Sequence, residues 1–131
     1  MLFSDGRVGC FGSNDSGRLG RNLATTLTSE PMGLLPLTDI TAIATRDNHA
    51  CALQADGDLY CWGENSAQQV GNGNTTDQVT PVLVRSGAAR VVTALLHTCV
   101  VLKEGGGVEC TGSDALGQRG DGAAQAGFGT W

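Results

Sequence analysis

The chain has 131 residues, 20 of them glycine and only 5% aromatic, and carries a net charge of −5 without any cluster of Lys or Arg. This turn-heavy composition excludes a coiled coil, and no apolar run approaches the 18 or so residues of a membrane-spanning helix. The mild acidity favours solubility and argues against sequence-independent nucleic-acid binding, which needs concentrated basic side chains.

In chain order, the first phrase runs from Asp5-Gly6 to Cys10-Phe11-Gly12 and opens into a polar, glycine-rich stretch, Gly12 to Asn22. A short buried strand is predicted over Ile40 to Ala44. The alternating segments His49 to Leu53 and Leu59 to Trp62 flank Asp56-Gly57 and read as a hairpin. A second polar stretch, Gly63 to Thr76, is dominated by Asn, Gly, Gln and Ser. Pro81-Val82-Leu83-Val84 reads as an edge strand opened by proline, and Val91 to Leu95 as another short buried strand. The phrase then returns, weakened, as Glu104-Gly105 to Cys110-Thr111-Gly112, before a third polar stretch, Gly112 to Gly122.

These elements recur at a fixed interval. Cys10 to Cys61 is 51 residues and Cys61 to Cys110 is 49; Gly20 to Gly71 is 51 and Gly71 to Gly120 is 49; Pro31 to Pro81 is 50. A period of about 50 residues points to arrays in which each unit buries its apolar face only against a neighbour. The chain therefore reads as one all-β fragment of about 2.6 units, approximately 1–53, 54–102 and 103–131. Each unit contributes one long polar loop.

The cysteines give the sharpest local expectation. A two-residue loop at Asp56-Gly57 would set Cys51 opposite Trp62, with the two sulfurs on opposite faces. A three-residue loop, Ala55-Asp56-Gly57 with Gly57 left-handed, instead sets Cys51 opposite Cys61 and Leu53 opposite Leu59. Directly opposed Cβ atoms lie about 4.5–5.5 Å apart, near the roughly 3.5–4.5 Å of a disulfide. Cys99 and Cys110 are one residue further apart, and a four-residue loop at Lys103 to Gly106 restores the opposition. By analogy the partner of Cys10 would stand at position 0, so Cys10 is expected unpaired. Trp131 falls where the earlier copies have Pro31 and Pro81. Both ends thus read as cut within a unit, which suggests a piece of a longer protein, an incomplete ring and a tendency to self-associate.

The order Pro-Val-x-Val (Pro81 to Val84), His-x-Cys-Ala-Leu (His49 to Leu53), Asp56-Gly57, Cys61-Trp62-Gly63 and Asn-x-x-Gly-x-Leu-Gly (Asn14 to Gly20) resembles regulator-of-chromosome-condensation repeats. The likeness covers nearly the whole chain, and it is specific because its elements recur in one order at one period. It implies a β-propeller of four-stranded antiparallel blades, usually seven, of which this chain would hold a part. It also implies binding to other macromolecules: some family members promote nucleotide exchange on a small GTPase, and another inhibits β-lactamases. Fold alone licenses neither role. The expected function is a non-catalytic protein-interaction module whose loops, notably Asn65 to Gln78 and Asn14 to Thr26, face a protein partner. The alternatives are a regulatory propeller acting as a guanine-nucleotide exchange factor or enzyme inhibitor, and an accessory domain of a larger enzyme.

The copies are degenerate. Arg46 stands where the pattern has glycine, Gln68 and Arg119 where Gly and Leu are typical, and Thr111 where an aromatic is typical; the spacing from Pro81 to His97 is two residues shorter than from Pro31 to His49. Irregular blades and an altered turn at Arg46 are the expectation.

Rival chemistries are weaker. His49, Cys51 and Cys61 could supply three zinc ligands, and His97, Cys99 and Cys110 repeat them, but structural zinc wants four and no Cys-x-x-Cys occurs. A cysteine nucleophile would normally be singular, whereas these cysteines recur with the repeat. No Walker-type phosphate loop is present. No catalytic, metal or cofactor residue is therefore assigned, and no small-molecule substrate. His49 and His97 are read as blade-stabilising side chains, Trp62 and Phe11 as core between blades, Asp5 and Asp56 as turn formers, and Gly57 and Gly63 as structural glycines. If the disulfides form, the protein matures in an oxidising place, exported or at the cell surface; the alternative is a cytoplasmic protein with five reduced thiols.

Overall fold

A computed structural model describes residues 1–23, 30–120, 122, 128–129 and 131. Apart from one 3₁₀ turn at Asp15–Gly17, its regular structure is β: β1 (Gly9–Gly12), β2 (Glu30–Leu34), β3 (Ile40–Arg46), β4 (His49–Gln54), β5 (Leu59–Gly63), β6 (Gln78–Arg85), β7 (Ala88–Thr93), β8 (His97–Leu102), β9 (Val108–Ser113) and β10 (Phe128–Gly129). The strands form three antiparallel sheets, ordered β1-β2, β3-β4-β5-β6 and β10-β9-β8-β7. The end of the expected loop Asn14 to Thr26, from position 24 onward, lies outside the described residues, as do positions 121, 123–127 and 130 of the third unit.

Strand β4 shows why the sheets stack. Its residues alternate in direction, so Ala50 and Ala52 join Trp62, Val8, Leu35 and Ile40 in a core between the first and second sheets. Cys51 and Leu53 point the other way, joining Leu59, Cys61, Ala88 and Val100 between the second and third. A strand covered on both faces reads as a nearly continuous run of small apolar residues, as His-Ala-Cys-Ala-Leu does.

Several expectations are corrected. The strand predicted over Val91 to Leu95 begins earlier, at Ala88, and stops at Thr93, because the Ala94 N–H turns to the His97 carbonyl at 2.8 Å and leaves Leu95 exposed. Arg46 lies within β3, paired with His49; the positive φ falls one residue later, on Asp47 at 56°, where an Asp tolerates the left-handed region better than most residues. Part of the expected irregularity is present: β1–β2 is shifted between Cys10 and Gly12 and β5–β6 between Leu59/Tyr60 and Cys61/Gly63, whereas β4–β5 and β8–β9 share one register and β3 and β7 carry a bulge at equivalent places, Ile40/Ala42 and Ala88/Arg90. The shortened spacing is absorbed between sheets, where only Ser86-Gly87 joins β6 to β7. The sheets also run out of phase with the sequence units, since position 53/54 falls inside β4. Pro81 sits within β6, the outermost strand of its sheet.

Candidate interaction surface

One end of the sheets carries the long loops and the β3–β4 and β7–β8 turns; the Glu64 N–H donates to the Asn48 carbonyl at 2.9 Å, and the Ser113 N–H to the Leu96 carbonyl at 2.8 Å, tying loop root to turn in both full sheets. The loops are built alike. The side-chain oxygen of Asn14 accepts from the Leu19 N–H (3.1 Å), that of Asn65 from Val70 (3.0 Å) and that of Asp114 from Arg119 (2.9 Å). In each, the backbone N–H three residues on folds back: Gly17 to Asn14, Gln68 to Asn65 and Gly117 to Asp114, then Gly20 to Gly17, Gly71 to Gln68 and Gly120 to Gly117. These positions require positive φ, met by Gly17 at 72°, Gly117 at 75° and, against its preference, Gln68 at 60°.

The motif half of the first two loops is therefore not a free surface. Asn14, Leu19 and Gly20, like Asn65, Gln69 and Val70, are buried against the following sheet. What the second loop exposes is its return, 73–77, in a polar cage: the Asn65 amide donates to Asn72 Oδ1 (2.9 Å), the Asn74 carbonyl (2.8 Å) and the Thr76 carbonyl (3.1 Å), while Asp77 Oδ1 accepts from the Asn65 N–H (2.9 Å). At the same end of the sheets, Asp47, Ser66, Leu95 and Leu116 are exposed. The Glu64 carboxylate accepts from Asn48 Nδ2 (3.1 Å) and the Ser66 hydroxyl (2.9 Å). The surface is thus polar, acidic and pre-organised, with two exposed leucines on the third sheet.

The sequence-selected residues fall as follows. Cys51 faces Cys61 and the sulfurs are bonded (2.11 Å); Cys99 faces Cys110 likewise (2.04 Å). With both pairs so engaged, neither zinc set is available, and among the described residues no group of three His, Cys, Asp or Glu side chains could hold a metal. Cys10 is a free, half-buried thiol whose pKa burial raises. Asp56 accepts from the Asp58 N–H at 3.0 Å, and Gly57 has φ 107°. This turn docks on the third sheet, where the Gly57 carbonyl accepts from Ala88 N–H (3.0 Å) and Lys103 Nζ donates to the carbonyls of Ala55 (3.1 Å) and Asp56 (2.5 Å). Gly63 has φ 100°, and a methyl there would come within 2.2 Å of the Asn48 carbonyl oxygen. Trp62 is buried, its Nε1 donating to the Arg18 carbonyl at 2.9 Å. Phe11, expected as core, is instead 59% exposed.

His49 is 2% exposed, and burial pulls its pKa down to about 4, with the nearby Glu64 and Asp47 opposing the shift. Its Nε2 lies 2.9 Å from the Thr98 hydroxyl, which itself donates to the Gln69 carbonyl at 2.7 Å. A hydroxyl has one proton, so Thr98 accepts from Nε2–H and the ring is the neutral Nε2 tautomer. His97 is half-buried opposite Gly112. Thr98 escaped the sequence reading because the equivalent position in the preceding unit is Ala50, so no periodic signal marks it. The loop caps Asn14, Asn65 and Asp114 do recur at the repeat period, and that spacing alone would have found them.

Known proteins resemble this chain in sequence and in shape. Two family profiles, both described as Regulator of chromosome condensation (RCC1) repeat, match residues 40–69 and 56–100. Protein RCC2 homolog of Danio rerio is 33% identical over 95 residues, covering 70% of this chain and 19% of the relative. Human WBSCR16 superposes with a TM-score of 0.86 at 18% identity, over 98% of this chain and 35% of that one. Prp20p of Saccharomyces cerevisiae superposes with a TM-score of 0.80 at 22% identity, over 93% and 32%. The chain thus spans about a third or less of the proteins it matches, and its stacked sheets are part of a β-propeller.

Proposed function

The chain belongs to the regulator-of-chromosome-condensation repeat family, and from that premise we propose that it is a non-catalytic protein-interaction module whose loop-bearing end meets a macromolecular partner. The observation that carries this reading is the loop construction itself. One backbone geometry is built three times, capped by Asn14, Asn65 and Asp114, and in the second loop it holds the exposed return 73–77 in a hydrogen-bonded cage. A surface ordered before binding loses little conformational entropy on association. Prp20p, similar in fold, is described by its binding to Gsp1p and histones, which supports a macromolecular partner for this chain. The two disulfides support maturation in an oxidising compartment, exported or at the cell surface.

The test compares affinity capture from the native cell by the parent chain, by N74R/T75R on the exposed loop return, and by Glu104→Arg at the opposite, hairpin-turn end. Proteins captured by the parent and by Glu104→Arg but lost with N74R/T75R support the reading. Capture that survives the loop change and fails with Glu104→Arg overturns it.

A further inference from the structure

One peptide bond at the start of the exposed loop return is set up for chemistry by the hydrogen bonds around it. The chain has six asparagines, and only Asn72 is followed by glycine. Gly73 is exposed and holds φ 80°, and a methyl built on it would meet no atom within 4 Å. Among the described residues its N–H has no acceptor. The backbone nitrogen that follows the Asn72 side chain is therefore uncrowded and open to solvent.

The two ends of the Asn72 side-chain amide are treated differently. Asn65 is fully buried, and because its Oδ1 accepts from the Val70 N–H at 3.0 Å, the atom it turns toward Asn72 is Nδ2. That Nδ2 donates to Asn72 Oδ1 at 2.9 Å, and the Asn74 N–H approaches the same oxygen at 3.4 Å. Asn72 Nδ2 has no partner among the described residues. Donors aimed at the carbonyl oxygen, with the amide nitrogen held by nothing, are what nucleophilic attack on Cγ requires.

We propose that Asn72-Gly73 is a self-modifying site: the loop converts Asn72 to aspartate and isoaspartate, with water as the only co-reactant, and the conversion loosens the return 73–77. The Gly73 nitrogen gives its proton to solvent and attacks Asn72 Cγ. As the N–Cγ bond forms, the carbonyl electrons move onto Oδ1, where the Asn65 and Asn74 N–H groups hold the oxyanion. The Cγ–Nδ2 bond then breaks, and the nitrogen leaves with the electron pair, takes a proton and departs as ammonia. Water opens the resulting cyclic imide at either carbonyl. Opening at Cγ gives aspartate; opening at the backbone carbonyl gives isoaspartate, whose main chain runs through Cβ and gains an atom. That added length displaces the Asn74 and Thr76 carbonyls that the Asn65 amide holds at 2.8 and 3.1 Å. The bearing of this on partner capture rests on the interaction surface proposed above; the modification itself does not.

The test incubates the full chain and a synthetic peptide of residues 69–78 side by side in one neutral buffer and follows position 72 by peptide mapping and mass analysis. Conversion is expected about threefold faster in the folded chain, the effect of donors already arranged for the oxyanion. A rate equal to or below that of the peptide overturns the proposal. Asn65→Asp keeps an oxygen for the Val70 N–H, as Asp114 does for Arg119 in the third loop, but removes the donor from Asn72 Oδ1. It is expected to bring conversion down to the peptide rate or lower while thermal unfolding stays cooperative; conversion still faster than the peptide overturns the role given to Asn65. Fresh and aged chain are then compared by amide hydrogen exchange, with Asn72→Gln, whose longer side chain cyclises slowly, as the unmodified control. The Thr76 N–H, bonded to Asn74 Oδ1 at 2.8 Å, and the Asn65 N–H, bonded to Asp77 Oδ1 at 2.9 Å, should exchange about tenfold faster in the aged chain. Unchanged exchange overturns the loosening, and because no partner enters the measurement, that failure is distinct from a failure of the interaction surface.

Discussion

The loop of one unit locks onto the next sheet twice in this chain, and the two joints use different chemistry for one geometry. At the first, a large indole does most of the work: Trp62 sits against Gly20, and its Nε1 donates to the Arg18 carbonyl. At the second, the equivalent residue is Thr111, whose hydroxyl donates to the Gln68 carbonyl at 2.9 Å, joined by the His49–Thr98–Gln69 chain. The indole is not absent there; it comes from elsewhere, since Trp131 packs against Gly71 much as Trp62 packs against Gly20. A small polar residue at the aromatic position leaves the loop geometry intact because the work is divided: Thr111 takes the Gln68 carbonyl, Thr98 takes the carbonyl of Gln69, the counterpart of Arg18, and Trp131 fills the vacated volume.

The largest way to break this pairing is Trp62→Ala, which should cost about 3–5 kcal/mol in urea unfolding, whereas Thr111→Val at the second joint should cost only about 1 kcal/mol, the net worth of one hydrogen bond. Comparable losses would mean that the joints share their anchor after all.

Between pH 6.5 and 4 acid should act on the second joint, through His49. His49 is neutral when folded, with its pKa near 4 against the ordinary 6.5, so the unfolded chain takes up a proton first as pH falls. Its contribution is whole above pH 6.5 and declines toward pH 4, by about 3 kcal/mol at most. Chemical denaturation across that range, with His49→Gln as the comparison, reads the slope; an unchanged slope in the variant would remove His49 as its source.

How much of this was legible in the sequence depends on whether a residue acts within its own repeat or across to the next. The period, the hairpins and the opposition of Cys51 to Cys61 follow from spacing and turn length, which are local. Phe11 was read as core by analogy with Trp62, but whether an aromatic is covered depends on which strands flank it, and among the described residues only 1–3 lie along that side of β1. Trp131 carried no periodic signal, since it stands where proline stands in the other copies. The loops were read as a partner-facing surface because they are polar, yet the side-chain oxygens of Asn65 and Gln69 accept from backbone N–H groups and both residues are buried.

The disulfides sharpen the contrast between the sheets further. Each closes a short loop, and removing either as a double Cys→Ala variant should cost about 2–3 kcal/mol in the chain-entropy account. They should differ in access: Cys51 and Cys61 are buried between sheets, Cys99 and Cys110 only partly covered. Dithiothreitol should open Cys99–Cys110 first, by about tenfold in rate, as followed by alkylation and mass analysis.

The smallest expected effect is a gain. Gln68 holds a left-handed conformation that Gly17 and Gly117 hold without strain, and its side chain is not needed for the Thr111 bond, which goes to its carbonyl. Gln68→Gly should therefore stabilise the chain, by less than about 1 kcal/mol once the added freedom of the unfolded glycine is subtracted. A thermal melt that moves downward would mean that the Gln68 side chain contributes contacts outweighing its backbone strain.

The single hydroxyl of Thr98 has a consequence for spectroscopy. Because it gives its own proton to Gln69, the hydrogen bonds run one way, from imidazole to hydroxyl to carbonyl, and His49 cannot exchange tautomers without breaking the run. Its Nε2 proton should therefore persist as a slowly exchanging resonance far downfield of the amides, and its disappearance would report the parting of the second and third sheets before either sheet itself unravels.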